Sequence, residues 1–222
     1  MMFAAGFGTR MGALTADRPK PLIEVDGRPL IDHALDMVRQ IDPRVMVANV
    51  HYLPELLERH LSAHHVQISR ETPDILETGG GLRKALPFLG QGPVFTVNTD
   101  AIWQGPNPME LLLKAWDPDR MDALLMCIDP LNAVGHAGAG DFVHLSNGAA
   151  KRGPGLIYGG VQILKTEGLH GIKEEVFSLN LLWNSMLDKG RLHIVEYPGQ
   201  WCDVGSPKGI TLAEDMLRQA DE

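Results

Sequence analysis

At 222 residues the chain falls between one and two average domains, and a single domain spanning residues 1–222 around one sheet is the expectation. Its 44% hydrophobic and 22% charged residues suit a globular protein with a large core and exclude a disordered chain. A formal charge of −8 excludes broad nucleic-acid binding, which depends on basic residues displacing phosphate counterions. One phosphorylated ligand, held by a few local cations or a metal, stays open.

Cys127 and Cys202 lie far apart and match no metal spacing, so they read as reduced thiols of a cytoplasmic protein. No apolar run approaches the ~20 residues of a membrane helix, and no signal peptide opens the chain, so neither a membrane nor export is expected. The opening MMFAA is barely long enough for a buried strand, which places the expected true start upstream of Met1.

From Met1 to about Asp129, short β-branched or apolar runs alternate with amphipathic stretches, as in βα units of a mostly parallel sheet. Strands are predicted at 1–5, 45–50, 66–69, 94–98 and 123–128, with helices at 29–41, 54–62, 78–89 and 107–116. Right-handed crossovers of this kind put ligands at the carboxyl ends of the strands. After Asp129 the rhythm changes. DFVHLSNG and GLIYGGVQIL read as antiparallel strands around an Asn147-Gly148 turn. Ser178 is set to cap a helix ended by Gly190, residues 191–197 form another strand, and Ser206-Pro207 opens a final helix.

The chemistry concentrates in AAGFGTRMGALTADRPKPL, residues 4–22, directly after the first strand. Gly6 and Gly8 have no side chain to block close approach, so the loop can turn amides toward phosphate oxygens. Met11 occupies the third glycine position of a dinucleotide fingerprint, and Lys20 stands too far from Gly8 for a G-x-x-x-x-G-K-[ST] loop. Arg10 and Lys20 supply cations, each worth roughly 4 kcal/mol against a phosphate oxygen about 4 Å away before desolvation. Lys20 sits between Pro19 and Pro21, which predicts an extended, restrained backbone there. Asp100, beyond a predicted strand on the ligand edge, reads as a turn former, although a carboxylate there could also serve a metal. The three glycines of LETGGG open a helix at a cost in chain entropy, so they require a reason. His60 and His64, one helical turn apart, lack a third ligand in sequence and read as solvated histidines.

GFGTRM followed by KPL, and then LETGGGLRKALPFL, VNTD, GAGDF, YGGVQIL and WCDVGS, resemble the sugar-nucleotide pyrophosphorylases across most of the chain. That resemblance implies a Rossmann-like, mostly parallel α/β sheet with an antiparallel sugar-binding portion in the C-terminal half. It implies nucleotidyl transfer to a sugar 1-phosphate with Mg2+ held by Asp100 and Asp203, and with Arg10 and Lys20 acting on the phosphates. Ala5, Gly6, Gly8, Thr9, Glu77, Gly79, Gly80 and Asn98 are then expected around the nucleotide, and Asp141 and Gly160 at the sugar. The short bacterial branch of the family implies UTP as donor and N-acetylmuramate 1-phosphate as acceptor, in a monomer or homodimer. Guanylyl transfer to mannose 1-phosphate is the alternative within the family, and a noncatalytic sugar-nucleotide sensor the alternative outside it. Gly12 departs from the family pattern, which carries a bulkier or basic residue there.

Overall fold

The computed structural model describes residues 1–219. Its strands, in chain order, are β1 (Met2–Phe3), β2 (Glu24–Val25), β3 (Arg28–Pro29), β4 (Met46–Val50), β5 (Val66–Arg70), β6 (Val94–Asn98) and β7 (Ala101–Gln104). They continue with β8 (Ala123–Ile128), β9 (Ala133–Val134), β10 (Phe142–His144), β11 (Ala150–Arg152), β12 (Ile157–Leu164), β13 (Leu192–Glu196) and β14 (Gln200–Asp203). The helices are α1 (Leu30–Gln40), α2 (Pro54–Leu61), α3 (Glu77–Leu89), α4 (Pro108–Ala115), α5 (Asn180–Asp188) and α6 (Pro207–Arg218).

Seven strands form the central sheet in the order β13-β8-β12-β6-β1-β4-β5. Every neighbouring pair is parallel except those of β12, which runs antiparallel to both β6 and β8. β8 explains how the sheet is covered. All its residues are buried, and they alternate strictly between two cores, as side chains on a pleated strand must. Leu124, Met126 and Ile128 join Ile31, Leu35, Leu57, Leu61 and Leu112 of α1, α2 and α4 on one face. Ala123, Leu125 and Cys127 join Leu82, Leu182 and Met186 of α3 and α5 on the other. A third core beneath α6 gathers Met11, Ile102, Cys202, Val204, Ala213 and Met216.

The C-terminal half corrects one expectation. The Asn147-Gly148 turn does join a hairpin, but its second strand is β11, with Phe142 paired to Arg152 and His144 to Ala150. The IYGGVQIL run instead enters the central sheet as β12. Its apolar, β-branched residues suit a strand covered on both faces, whereas the hairpin needs only short, half-exposed partners. Ser178 Oγ accepts from the Asn180 amide at 3.2 Å just before α5, whose cap position is Leu179 rather than Ser178. Gly190 closes that helix at φ 63, the left-handed region that favours glycine.

A small sheet β7-β14-β9 went unforeseen because its strands are only two to four residues long. It decides the site geometry. β14 runs antiparallel to β7 and brings Asp203 opposite Ala101.

Candidate active site at the carboxyl edge of the sheet

β1 ends at Phe3, and the chain turns out over the carboxyl edge through Ala4–Gly8. A buried chain of hydrogen bonds holds this turn. The Ala4 amide donates to Asn49 Oδ1 at 2.8 Å, and Asn49 Nδ2 donates to Glu71 Oε1 at 2.7 Å. Glu71 Oε2 accepts from the Leu76 amide at 2.7 Å. Glu71 is fully buried, yet both its oxygens are satisfied, as a carboxylate in that position requires. Neither Asn49 nor Glu71 stood out in the sequence, although each lies at or just past the end of a predicted strand on the ligand edge.

Gly8 adopts φ 65 and starts the turn Thr9–Thr15, and a Cβ there would lie 2.9 Å from both Lys20 Cβ and Thr15 Cγ2. The glycine therefore lets the backbone of this loop press onto Lys20. Gly12, at φ 59 and ψ −128, kinks the same turn in a conformation that side chains resist, which gives a local reason for the departure at this position. Lys20 is not extended as Pro21 predicted. It opens a tight turn, Lys20–Leu22, closed by Leu22 N to Pro19 O at 2.9 Å and Ile23 N to Lys20 O at 3.0 Å. Those bonds outweigh the preference imposed by the following proline.

Lys20 is only 8% exposed, and its Nζ lies 2.7 Å from Asp100 Oδ2. Asp100 sits between β6 and β7, and its carbonyl accepts from the Val204 amide at 2.9 Å, so Asp100 and Asp203 are neighbours. Burial and the Asp100 charge push the Asp203 carboxyl above its ordinary value, while Lys20, Arg10 and His136 pull it down. Arg10 reaches the same point, because a Cβ on Gly205 would lie 2.8 Å from both Arg10 Nη1 and Asp203 Oδ2. Two cations and two carboxylates thus meet beside the glycine loop. Two adjacent carboxylates, one of them disfavoured as an anion when alone, are the oxygen-rich donor set that a hard divalent ion compensates.

A cavity of about 290 Å³ opens next to this cluster, lined by Ala5, Gly6, Lys20, Glu77, Asn98 and Asp100 among others. A second of about 290 Å³ contains Asp141, Arg152, Tyr158 and Trp183 and shares Phe3, Thr78 and Asn98 with the first. The two adjoin at those three residues and together are called the trough. Gly8, Thr9, Arg10 and Asp203 line neither part, and Asp203 and Arg10 reach it through their proximity to Asp100.

Gly79, Gly80 and Gly160 need a different account from the one expected. The amides of Gly79 and Gly80 both donate to Phe177 O, at 2.8 and 3.1 Å, and neither glycine lines the trough. A Cβ on Gly79 would overlap the Phe177 ring, and one on Gly80 would meet Glu175 O at 2.5 Å. These glycines let the strap 175–179 lie on α3, and Gly81 likewise leaves room for the Glu71 carboxylate. Gly79→Ala should gain some helix propensity but lose more to overpacking, for a net cost of about 1–3 kcal/mol, visible as a lower urea midpoint. Gly160, at φ 89, yields space to Asn98, whose Cβ would lie 2.8 Å from an added methyl. It shapes the trough through Asn98. Asp141 lines the second cavity and accepts from the Tyr158 amide at 2.9 Å.

The histidines stand elsewhere. Asp32 of α1 supplies the third group that the sequence lacked, 2.7 Å from His60 Nε2. Arg39 Nη2 lies 2.6 Å from His64 Nδ1, so a guanidinium already sits against that cluster.

Residues 1–144 match the family model of the MobA-like NTP transferase domain. Over 99% of the chain and 97% of the relative, 40% of residues are identical to an N-acetylmuramate alpha-1-phosphate uridylyltransferase of Caulobacter vibrioides. The chain belongs to the sugar nucleotidyltransferases. The transferase is also 32% identical to the protein of the same description from Neisseria meningitidis, over 93% of this chain and 92% of that one. Among solved structures, the inositol-1-phosphate CTP transferase of T. maritima superposes on the transferase with a TM-score of 0.78, at 16% identity, covering 97% of this chain and 94% of that one. HddC from Yersinia pseudotuberculosis, complexed with GMP-PN, gives 0.76 at 18% identity over 97% of both chains. These two likenesses bear on the fold, which the transferase shares nearly end to end. Divalent metal use is general to the family, and no helix among the described residues is long and apolar enough to cross a membrane.

Proposed function

We propose that this single-domain chain transfers UMP from UTP to N-acetylmuramate 1-phosphate, releasing pyrophosphate, with Mg2+ as the metal. One observation carries the reading. Lys20, Arg10, Asp100 and Asp203 converge at the loop end of a trough whose other end is lined by Asp141 and aromatic rings. The choice of UTP and of the sugar follows the relatives at 40% and 32% identity.

A phosphate oxygen of the sugar 1-phosphate donates its electron pair to the α-phosphorus of the triphosphate. The bond from that phosphorus to its bridging oxygen breaks, and the pair departs on pyrophosphate. The nucleophile is anionic near neutral pH, so no side chain has to remove a proton. Two polyanions must instead be brought together, and charge accumulates on the leaving oxygen. Lys20, fixed by the tight turn and by Gly8, is assigned to the reacting phosphates, and Arg10 to the triphosphate tail. Asp100 and Asp203 would hold the magnesium, which when bound neutralises phosphate charge. Asn98 at the junction and Glu77 in the loop-end cavity are assigned to orienting the nucleoside, with Glu77 held at φ 61, an uncommon conformation for a side-chain-bearing residue. Two buried, free cysteines and a nucleoside triphosphate substrate support work in the cytoplasm.

Guanylyl transfer is the second reading, since a mannose-1-phosphate guanylyltransferase subunit of Danio rerio is 26% identical over 99% of the chain and 64% of that protein. A panel of the common nucleoside triphosphates against several sugar 1-phosphates, read by pyrophosphate release, separates the two. UTP with N-acetylmuramate 1-phosphate should give the highest kcat/KM, and a higher value for GTP with mannose 1-phosphate would replace this assignment. Tight sugar-nucleotide binding without pyrophosphate release from any pair would make the chain a sensor.

A further inference from the structure

The mechanism above leaves one cation of the trough unused. Arg152 of β11 lines the sugar end beside Asp141, Tyr158, Gln162, Asn180 and Trp183. Its guanidinium lies over the Phe142 ring at 4.8 Å and the Trp183 ring at 5.5 Å from their centroids, so two aromatic rings pack against it. Nη2 donates to Asn180 Oδ1 at 2.5 Å. Among the described residues that is its one protein hydrogen bond, and no carboxylate pairs with it. Asp141 acts on it only through space, and burial holds its pKa below the ordinary arginine value. The result is a partly dehydrated, planar cation with donors to spare.

Position narrows what those donors meet. Lys20 and Asp100 line the loop end of the trough and not the sugar end, whereas Arg152 lines the sugar end and not the loop end. The reacting phosphate therefore lies away from Arg152. We propose that Arg152 binds a second anionic group on the acceptor, a carboxylate carried by the sugar ring away from its anomeric phosphate, and so sets acceptor specificity. This rests on the acceptor proposed above, whose lactyl ether bears such a carboxylate. A planar fork matches a carboxylate bidentately, and a neutral sugar in the same place would leave the guanidinium without its partner.

The test compares N-acetylmuramate 1-phosphate with N-acetylglucosamine 1-phosphate, which lacks the lactyl group, on the unmodified chain, Arg152→Met and Arg152→Lys. Pyrophosphate release with UTP and calorimetric binding of each sugar phosphate are both measured, with melting temperatures as the folding control. Arg152→Met should raise KM and Kd for the carboxylate sugar by about 10- to 100-fold, the scale of one lost charge-assisted contact. KM for UTP and kcat/KM for the neutral sugar should hold within about twofold, and Arg152→Lys should recover part of the loss. Equal losses for both sugars, no loss, or an unmodified chain that does not prefer the carboxylate sugar would each overturn the proposal. A chain that binds the carboxylate sugar through Arg152 yet releases no pyrophosphate refutes the transferase reading and leaves this one standing.

Discussion

Replacing Lys20 by methionine should lower kcat about 10²- to 10³-fold, the range for deleting one positioned donor to developing charge. The side chain runs through a nearly closed passage between Gly8 and Asp100, which methionine can fill with little change in volume. The Asp100 side chain keeps 34% of its surface in solvent, so losing its ammonium partner does not leave a fully buried, unpaired charge. The fold should therefore survive while turnover collapses. Steady-state kinetics beside thermal melts give the answer. A variant that folds normally and keeps near-normal kcat would remove Lys20 from the reaction, and equal falls in kcat and melting temperature would assign it to the scaffold.

Asp203→Asn should separate stability from activity in opposite directions. Burial and the neighbouring Asp100 charge raise the folded-state pKa of Asp203 above its value in the unfolded chain. A carboxyl shifted upward stabilises the fold below its unfolded pKa, and that contribution is lost as pH rises through the folded value. In chelator near pH 7 the ionised side chain is then a net cost, which the neutral amide removes. Asp203→Asn should melt at or above the parent at neutral pH, and this difference should shrink as pH falls through the raised folded-state pKa, where the parent side chain takes up a proton. Metal-dependent pyrophosphate release should be abolished, and added magnesium should raise the melting temperature of the parent more than that of the variant. Near-normal magnesium-dependent turnover in Asp203→Asn would count against the metal assignment.

Legibility in the sequence followed physical scale. The run at 123–128 is legible to the residue because a strand buried on both faces is continuously apolar, and the run at 94–98 because its β-branched and aromatic residues end at Asn98. The helices came within a few residues at each end for the same periodic reason. Gly6, Lys20 and Asp100 line the loop-end cavity at the edge the sequence points to, because a loop after the first strand and a strand end mark the ligand edge in any parallel α/β sheet. The β7-β14 pairing could not be read, since strands this short carry no periodicity, and yet it is what brings Asp203 to Asp100. Gly79 and Gly80 were ambiguous in sequence, where a glycine that admits a ligand looks the same as one that admits Phe177. Asn49 and Glu71 offered only a polar residue at or beyond the end of an apolar run, a signal that many surface positions share. Arg152 was invisible because its meaning comes from two rings, one paired with it across a hairpin and one on a helix.

The account depends on one triphosphate being gripped between the Ala5–Gly8 turn with its two cations and a divalent ion on two carboxylates contributed from far apart in the chain. A crystal grown with a nonhydrolysable UTP analogue and manganese tests this most directly, because manganese scatters anomalously and occupies magnesium sites. The account predicts an anomalous peak within coordinating distance of the carboxylates of Asp100 and Asp203, with phosphate oxygens completing its shell and Lys20 Nζ against the reacting phosphate. A peak elsewhere in the molecule, or a triphosphate seated away from the glycine turn, would contradict it.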